Sequence, residues 1–281
     1  MTSVFSRTPN LRTILFISRP SQILRRFIST GSKIQLEFKS MNVSSTIYGI
    51  KELNSNTICR YEVLKIEEEF VEKSAKHGAN ILKSGGVIGV PTDTVYGIAA
   101  DAQNNEAIAR IYSIKGRDFR KPIAICVSSI DEVYEWGKVG VPTSLLDDLL
   151  PGPVTLVFER QPSLNPNLNP STNLIGIRIP DNRFIVNLAK FHGGPVALTS
   201  ANFSACPSTL EVEEFKELWP SLDLVFDGGR LSICEKTEKI ARAGSTVIDL
   251  SSEGFYRIIR EGTSHTKCVQ ILQDKYNLRR I

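Results

Sequence analysis

Hydrophobic positions along the chain alternate between two periods. Over 106–114, Ile108, Ile111 and Ile114 recur at a spacing that puts them on one helix face. Just downstream, 122–127 reads Pro-Ile-Ala-Ile-Cys-Val, a short, apolar, β-branched run that suits a buried strand. The same reading predicts helices at 62–83, 130–137, 143–149, 184–191, 211–218 and 265–276. It predicts further strands at 87–90, 154–158, 174–179, 195–198, 222–226, 245–250 and 255–259. The first helix would carry Leu64, Ile66, Phe70, Val71, Ala75, Ala79 and Leu82 on its apolar side, although Gly78 weakens it, and Ser84-Gly85-Gly86 ends it. Consecutive apolar residues within several strands imply that helices cover both sheet faces. The expected fold is α/β, one domain over 62–278 around a large mixed sheet. Residues 37–61 are polar, Asn/Ser/Thr-rich and aperiodic, and are expected to be a linker; 161–173 is a loop long enough for a flap.

Composition is that of an ordinary globular protein, 41% hydrophobic and 23% charged. The net charge of +4 misleads. Six of the 34 basic residues (Arg7, Arg12, Arg19, Arg25, Arg26 and Lys33) lie in 1–36, which holds no acid, leaving 28 against 30 acidic side chains in the rest. That removes the argument for nucleic-acid binding from global charge. The leader is Arg-rich, Ser/Thr-rich and acid-free, and Leu11, Ile14, Leu15 and Ile17 fit one face of a helix, so 1–36 is expected to be a mitochondrial presequence. Met41 is the second of two methionines, and initiation there would delete the leader. Dual mitochondrial and cytoplasmic localisation is the expectation. No run approaches the roughly 18 apolar residues of a membrane span, so no transmembrane segment is expected. Five scattered cysteines without a CxxC or Cys/His cluster argue against structural zinc and a disulfide framework.

Candidate chemistry concentrates at a few points. Lys115-Gly-Arg117-Asp-Phe-Arg120-Lys121-Pro places four cations on a helix-to-strand connection, where they can converge on one ligand. The segment is either a solvated basic loop or a polyphosphate grip, with Arg supplying forks and Lys movable point charges. Pro91-Thr92-Asp93-Thr94-Val-Tyr96-Gly97 follows a strand, where α/β sheets open onto ligand crevices. It is turn chemistry, or a site where Thr92 or Thr94 binds a polar molecule and Asp93 a metal or amine. Ser200 and Asn202, in Thr199-Ser-Ala-Asn202, can face one pocket, and both binding and structural roles stay open. Arg178 sits inside an apolar strand and needs an anion, from a protein carboxylate or a ligand. Gly244-Ser245-Thr246 and Arg260-Glu-Gly262 put a hydroxyl and a guanidinium at strand ends. No GxxxxGK[ST], GxGxxG, HExxH or kinase signature is present.

Taken in order, PTDTVYG, KGR…KP, PGPVTLV, IGIRIP, TSAN, GSTV and IIREG make the chain resemble the YrdC-like threonylcarbamoyl-AMP synthases over about residues 65–265, in particular the animal members with a mitochondrial leader. The resemblance implies a single-domain twisted open sheet with a concave cationic pocket. It implies condensation of L-threonine, bicarbonate or CO₂, and ATP into threonylcarbamoyl-adenylate with release of pyrophosphate. A partner transferase would then modify tRNA beside the anticodon. By the same resemblance Lys115, Arg117 and Lys121 hold the triphosphate, with Lys115 and Arg117 catalytic. Ser200, Asn202 and Arg260 hold the nucleotide, and Thr92, Arg178, Thr199 and Ser245 bind threonine. Mg²⁺ would sit on phosphate oxygens, with no protein-ligated metal. Cys126 and Cys206 stand where some relatives carry His near the threonine and Arg near the nucleotide, a departure from the family pattern at those two contacts. Weak RNA binding is a further partner expectation. An RNA-gripping module is the competing reading, disfavoured by the charge of the body, and carbamoyl-adenylate chemistry in metalloenzyme maturation would bring domains not seen here.

Overall fold

A computed structural model describes residues 24–30, 33–38, 45–53, 57–116, 121–203, 206–231 and 237–281. The chain begins with β1 (Leu24–Thr30), β2 (Lys33–Phe38), β3 (Ser45–Leu53) and β4 (Thr57–Lys65). Helix α1 (Val71–Lys83) leads to β5 (Ile88–Val90) and β6 (Gly97–Asp101), then α2 (Asn105–Lys115) and β7 (Ala124–Cys126). Next come α3 (Ile130–Trp136), the two-residue β8 (Gly137–Lys138), α4 (Thr143–Leu149), β9 (Val154–Arg160) and β10 (Leu174–Arg178). Helix α5 (Arg183–His192), β11 (Val196–Ser200) and β12 (Leu224–Asp227) follow. The chain closes through α6 (Glu238–Ala241), β13 (Thr246–Asp249), β14 (Phe255–Arg260), α7 (His265–Gln270) and β15 (Arg279–Arg280).

The strands run in the spatial order β1-β2-β3-β4-β12-β5-β6-β11-β7-β10-β9-β13-β14-β15, with β8 beside β9. Pairing is mixed: β12 is parallel to β4 and β5, β7 to β10, and β9 to β13, while β5-β6-β11-β7 and β10-β9 are antiparallel. The expected α/β mixed sheet is what the chain forms.

Alternate residues of the central strands enter two separate cores, as the two-residue side-chain period requires. Ile88, Val90, Ala99, Cys126, Val196, Leu198, Leu224 and Phe226 pack on one face with Val71, Ala75 and Leu82 of α1 and Phe184, Ile185 and Leu188 of α5. Val87, Ile98, Ala100, Ile125, Ala197, Leu156 and Ile177 point to the other face, toward α2, α3, α4 and α7. The consecutive apolar runs are thus explained by burial on both sides. Gly78 has a packing reason: a Cβ there would lie 2.8 Å from Leu188 Cδ1 and 3.0 Å from the Phe226 ring. The glycine lets α1 approach α5 and the sheet closely.

Several boundaries need correction. The linker expected over 37–61 carries β3 and β4 instead, and β4 runs into the region expected to open a helix at 62. Thr, Ile, Tyr and Val in 57–65 are strand formers, and Val63 and Leu64 align with Val225 and Phe226 of β12, so sheet pairing overrides the helical spacing. The helix itself starts at Val71. Strand backbone also occupies 24–30 and 33–38; the helical face read from Leu11 to Ile17 lies outside the described residues. The helix expected at 211–218 is instead two 3₁₀ turns, Val212–Phe215 and Trp219–Ser221. Val212, Phe215 and Leu218 recur every three residues, a spacing that 3₁₀ turns satisfy as well, and Pro220, in the second turn, keeps an α-helix from running through. The helix expected at 265–276 is α over His265–Gln270, then a wide π turn over Ile271–Lys275. Strand β6 was not expected: Gly97-Ile-Ala-Ala-Asp101 has Ile98 as its one strand former, but its small residues fit between closely packed neighbours.

Gly78→Ala is expected to destabilise the protein by about 1–3 kcal/mol through overpacking, although alanine is the better helix former. Urea denaturation tests this, and unchanged or raised stability would refute it.

Candidate functional site

Helices α1 and α5 cover only part of their sheet face. Over β7, β10, β9, β13 and the end of β14 the same face opens into a cavity of about 470 Å³. Ala124, Thr155, Val157, Leu174, Gly176, Arg178, Leu198, Ser200 and Val247 share this face by strand parity and line the cavity. Thr92, Tyr96, Thr199, Ser208, Ser245, Ile259 and Arg260 complete the wall.

At one end Arg178 is 7% exposed. Its Nη2 donates to Asp93 Oδ1 at 2.5 Å and to Thr94 Oγ1 at 3.3 Å, while Asp93 Oδ2 accepts the Asp181 N–H at 3.0 Å. The anion that the sequence demanded for Arg178 is thus a protein carboxylate. The Nε–H of Arg178 has no acceptor among the described residues. Thr92 Oγ1 donates to Val95 O at 2.8 Å and accepts the Thr94 and Val95 N–H groups, so it both shapes the turn and faces the cavity. The Tyr96 hydroxyl donates to Gly229 O at 2.6 Å and accepts the Gly228 N–H; burial, with Asp227 beside it, pushes the phenol pKa up.

At the opposite wall Arg260 wraps onto Ser245. Its Nε and Nη2 donate to Ser245 O at 3.1 and 2.8 Å, and Nη2 also donates to Ser245 Oγ at 3.0 Å. Two glycines allow this. Gly244 adopts φ 71°, and a Cβ on Gly262 would lie 2.3 Å from Ser245 C and Thr246 N, so only glycine lets the backbones meet there.

Lys115 ends α2, where the helix dipole favours a cation, and is 2% exposed. Its Nζ donates to the carbonyls of Ser200 and Asn202, the latter at 2.7 Å, and approaches Asn202 Oδ1 at 3.4 Å. It therefore reaches the site from behind, through the backbone after β11. Asn202 Nδ2 donates to Phe203 O and Cys206 O, closing a small loop. Lys121 is exposed beside Pro122, which lines the cavity. Arg117 lies outside the described residues.

Six of the expected site residues (Thr92, Arg178, Thr199, Ser200, Ser245 and Arg260) therefore share one cavity, with Lys115 and Asn202 adjoining it. Thr155 and Ser208 were not singled out from the sequence, and Tyr96 was read only as part of the 91–97 segment at the strand end. A hydroxyl inside the apolar run Val154-Thr-Leu-Val157 was the available signal for Thr155, of the same kind that pointed to Arg178. Cys126 lies in register with Arg178 but is fully buried in the α1–α5 core, and burial pushes its thiol pKa up to about 12, so it stays neutral. Ser208 is held by Arg242, whose Nη1 donates to Ser208 O at 2.7 Å and which pairs bidentately with Glu214 at 2.8 Å. That pairing draws the Glu214 carboxyl down to about 2.

Residues 80–262 match the model of the Sua5/YciO/YrdC family, whose description reads telomere recombination. The chain belongs to this family. Within it, the chain is 51% identical over 197 residues to the threonylcarbamoyl-AMP synthase of Mus musculus, with 70% of each chain covered. It is 34% identical over 224 residues to a putative threonylcarbamoyl-AMP synthase of Methanocaldococcus jannaschii, covering 79% of this chain and 95% of that one. Among solved Sua5/YciO/YrdC structures, that of P. abyssi Sua5 complexed with L-threonine superposes with a TM-score of 0.65 at 25% identity, over 78% of this chain and 62% of that chain. The twisted open sheet is common to this family.

Asp93→Ala is expected to cost about 3–5 kcal/mol, because it leaves the Arg178 charge buried without its carboxylate. Thermal or urea unfolding reads the loss; a change below about 1 kcal/mol would show that Arg178 does not depend on Asp93.

Proposed function

We propose that the protein is a threonylcarbamoyl-AMP synthase that joins L-threonine, bicarbonate or CO₂, and ATP into L-threonylcarbamoyladenylate and pyrophosphate. The product serves N6-threonylcarbamoyladenosine formation in tRNA. The observation that carries this reading is one cavity uniting Thr92, Arg178 and Ser245 with Ser200 and Arg260, in a chain 51% identical over 70% of its length to a mammalian protein of that name. The threonine complex of the archaeal Sua5 supports the amino-acid half of the site.

The chemistry asks for positioning and charge more than for a covalent nucleophile. Threonine nitrogen bonds to the carbon of CO₂ or bicarbonate and loses a proton, giving a carbamate, with water leaving in the bicarbonate case. A carbamate oxygen then attacks the α-phosphorus of ATP, and the bond to the β-phosphate oxygen breaks with its electron pair leaving on pyrophosphate. Holding a weak nucleophile in line and neutralising the phosphates supplies most of the acceleration. We assign the threonine carboxylate to Arg178, whose Nε–H still lacks an acceptor among the described residues, and to the Ser245 hydroxyl, with Thr92 and Thr199 around the rest of the molecule. Ser200, Asn202 and Arg260 take the nucleotide end. Lys115, Arg117 and Lys121 bring positive charge to the triphosphate, Lys115 acting from its seat on the Ser200 and Asn202 carbonyls.

Mg²⁺ belongs in this scheme with ATP, as the MgATP substrate. Asp93, next to the cavity-lining Thr92, has both oxygens engaged by Arg178 and Asp181, and among the described residues no group of three His, Cys, Asp or Glu gathers to hold a metal. The cation would then lower the phosphate charge through its own waters and phosphate oxygens. The product passes to a partner transferase. We further assign residues 1–36 to a mitochondrial presequence and the cytoplasmic form to initiation at Met41. No described helix is long and apolar enough to cross a membrane.

Purified protein should release pyrophosphate only when ATP, threonine and bicarbonate are all present, with threonylcarbamoyl-adenylate identified by mass spectrometry. Arg117→Ala and Lys115→Ala should each lower that rate at least tenfold, as expected if each removes a charge-assisted contact of about 1.5–3 kcal/mol. Undiminished rates in both variants would refute the role given to this loop. Replacing codon 41 should deplete the cytoplasmic pool and spare the mitochondrial one; an unchanged cytoplasmic pool would exclude that start site.

A further inference from the structure

Thr155 is a cavity-lining hydroxyl without a role in the scheme above, and its surroundings give it one. It is 4% exposed and stands between β10 and β13 on the open sheet face. On the β10 side Gly176 leaves room for its methyl group: a Cβ at Gly176 would come within 3.0 Å of Thr155 Cγ2. That packing turns the hydroxyl toward β13, where Thr155 Oγ1 lies 2.8 Å from Ser245 Oγ.

Ser245 Oγ thus has two neighbours, Thr155 Oγ1 and Arg260 Nη2 at 3.0 Å. A guanidinium can only donate, so Arg260 occupies one lone pair of the serine oxygen. If Thr155 also donates, both lone pairs are filled and the one remaining capacity of Ser245, its O–H, has no direction left but the cavity. If Thr155 accepts, the Ser245 proton is spent on Thr155 and none faces a ligand. A substrate carboxylate or carbamate oxygen in the cavity accepts and never donates, so it selects the first arrangement. A hydroxyl already flanked by two donors is set to meet such an oxygen without reorganising.

We propose that Thr155 is a positioning residue that donates to Ser245 and thereby aims the serine hydroxyl as a donor at the carboxylate of threonine. The proposal rests on the assignment of Ser245 to the threonine site. Removing the Thr155 hydroxyl frees a lone pair on Ser245 and lets its proton swing out of line, which weakens threonine binding more than turnover.

Steady-state pyrophosphate release at saturating ATP and bicarbonate, with threonine varied, tests it in the wild type, Thr155→Val, Thr155→Ala, Thr155→Ser and Ser245→Ala. The near-isosteric valine should raise KM for threonine about tenfold with kcat within about threefold, which matches the loss of one directed hydrogen bond to a charged group. Thr155→Ala should do the same despite its different packing, which keeps the test intact if the valine variant folds poorly. Thr155→Ser keeps the hydroxyl and should return KM to near the wild-type value, a rescue that a purely packing role would not give. A wild-type KM in Thr155→Val and Thr155→Ala alongside a raised KM in Ser245→Ala would overturn the proposal and leave the threonine site standing. A wild-type KM in Ser245→Ala would remove the threonine-site assignment and the proposal with it.

Discussion

Placing a guanidinium in an apolar strand imposes a demand that the surrounding chain has to meet. Arg178 is almost wholly buried, and an unpaired buried charge would cost more than most single packing contacts return. Asp93 answers it from the turn after β5, and the same carboxylate accepts the backbone N–H of Asp181 just before α5. One side chain therefore fixes three pieces together: the Thr92–Val95 turn, the C-terminal end of β10 and the entry to α5. The cavity end built from these pieces owes its shape to electrostatics as much as to apolar packing.

The second determinant is coverage. Two helices pack over β12, β5, β6, most of β11 and the end of β7 on one face, and β10, β9 and β13 contribute nothing to that helix-covered core. Where a helix lies above the sheet the inward residues are apolar, Ile, Val, Leu and Phe with Ala99 and Cys126. Where none does they include Thr155, Gly176, Arg178 and Ser245, joined by Ser200 at the end of β11. The change from apolar to polar along a single face marks the edge of the core and the start of the site. Gly176 and Gly262 show how tightly that region is built, since a methyl group at either would meet a neighbouring side chain or backbone.

Helices that present one apolar stripe to the sheet, such as α2 and α5, were legible from spacing alone, as were the strands buried on both faces other than β6. The failures share a cause. Residues 57–65 and 97–101 have weak or misleading local pattern, and their state is set largely by partners distant in the chain, β12 for the first and β11 for the second. For the site, odd residues in apolar strands were the productive signal: Arg178 and Ser245 stood out, and Thr155 did not because threonine is an ordinary strand former. The partner of Arg178 could not be read, since Asp93 is 85 residues away in sequence. Lys115 was legible as a cation near the site but not as a buried one that grips two carbonyls behind it.

The sheet order has a consequence for the newborn chain. The cavity draws its walls from Thr92 near one end of the domain and from Arg260 near the other, with β9, β10 and β11 between them. During synthesis the early strands emerge long before β13 and β14 can dock beside β9, so no partial chain owns a complete pocket. Such long-range pairing is the slow part of folding, and it keeps apolar strand edges exposed meanwhile. Once the last strand docks, any small molecule that fills the pocket touches segments from the whole domain. Its binding free energy then opposes global unfolding and not merely the opening of one loop, which ties the lifetime of the folded protein to the supply of its ligands.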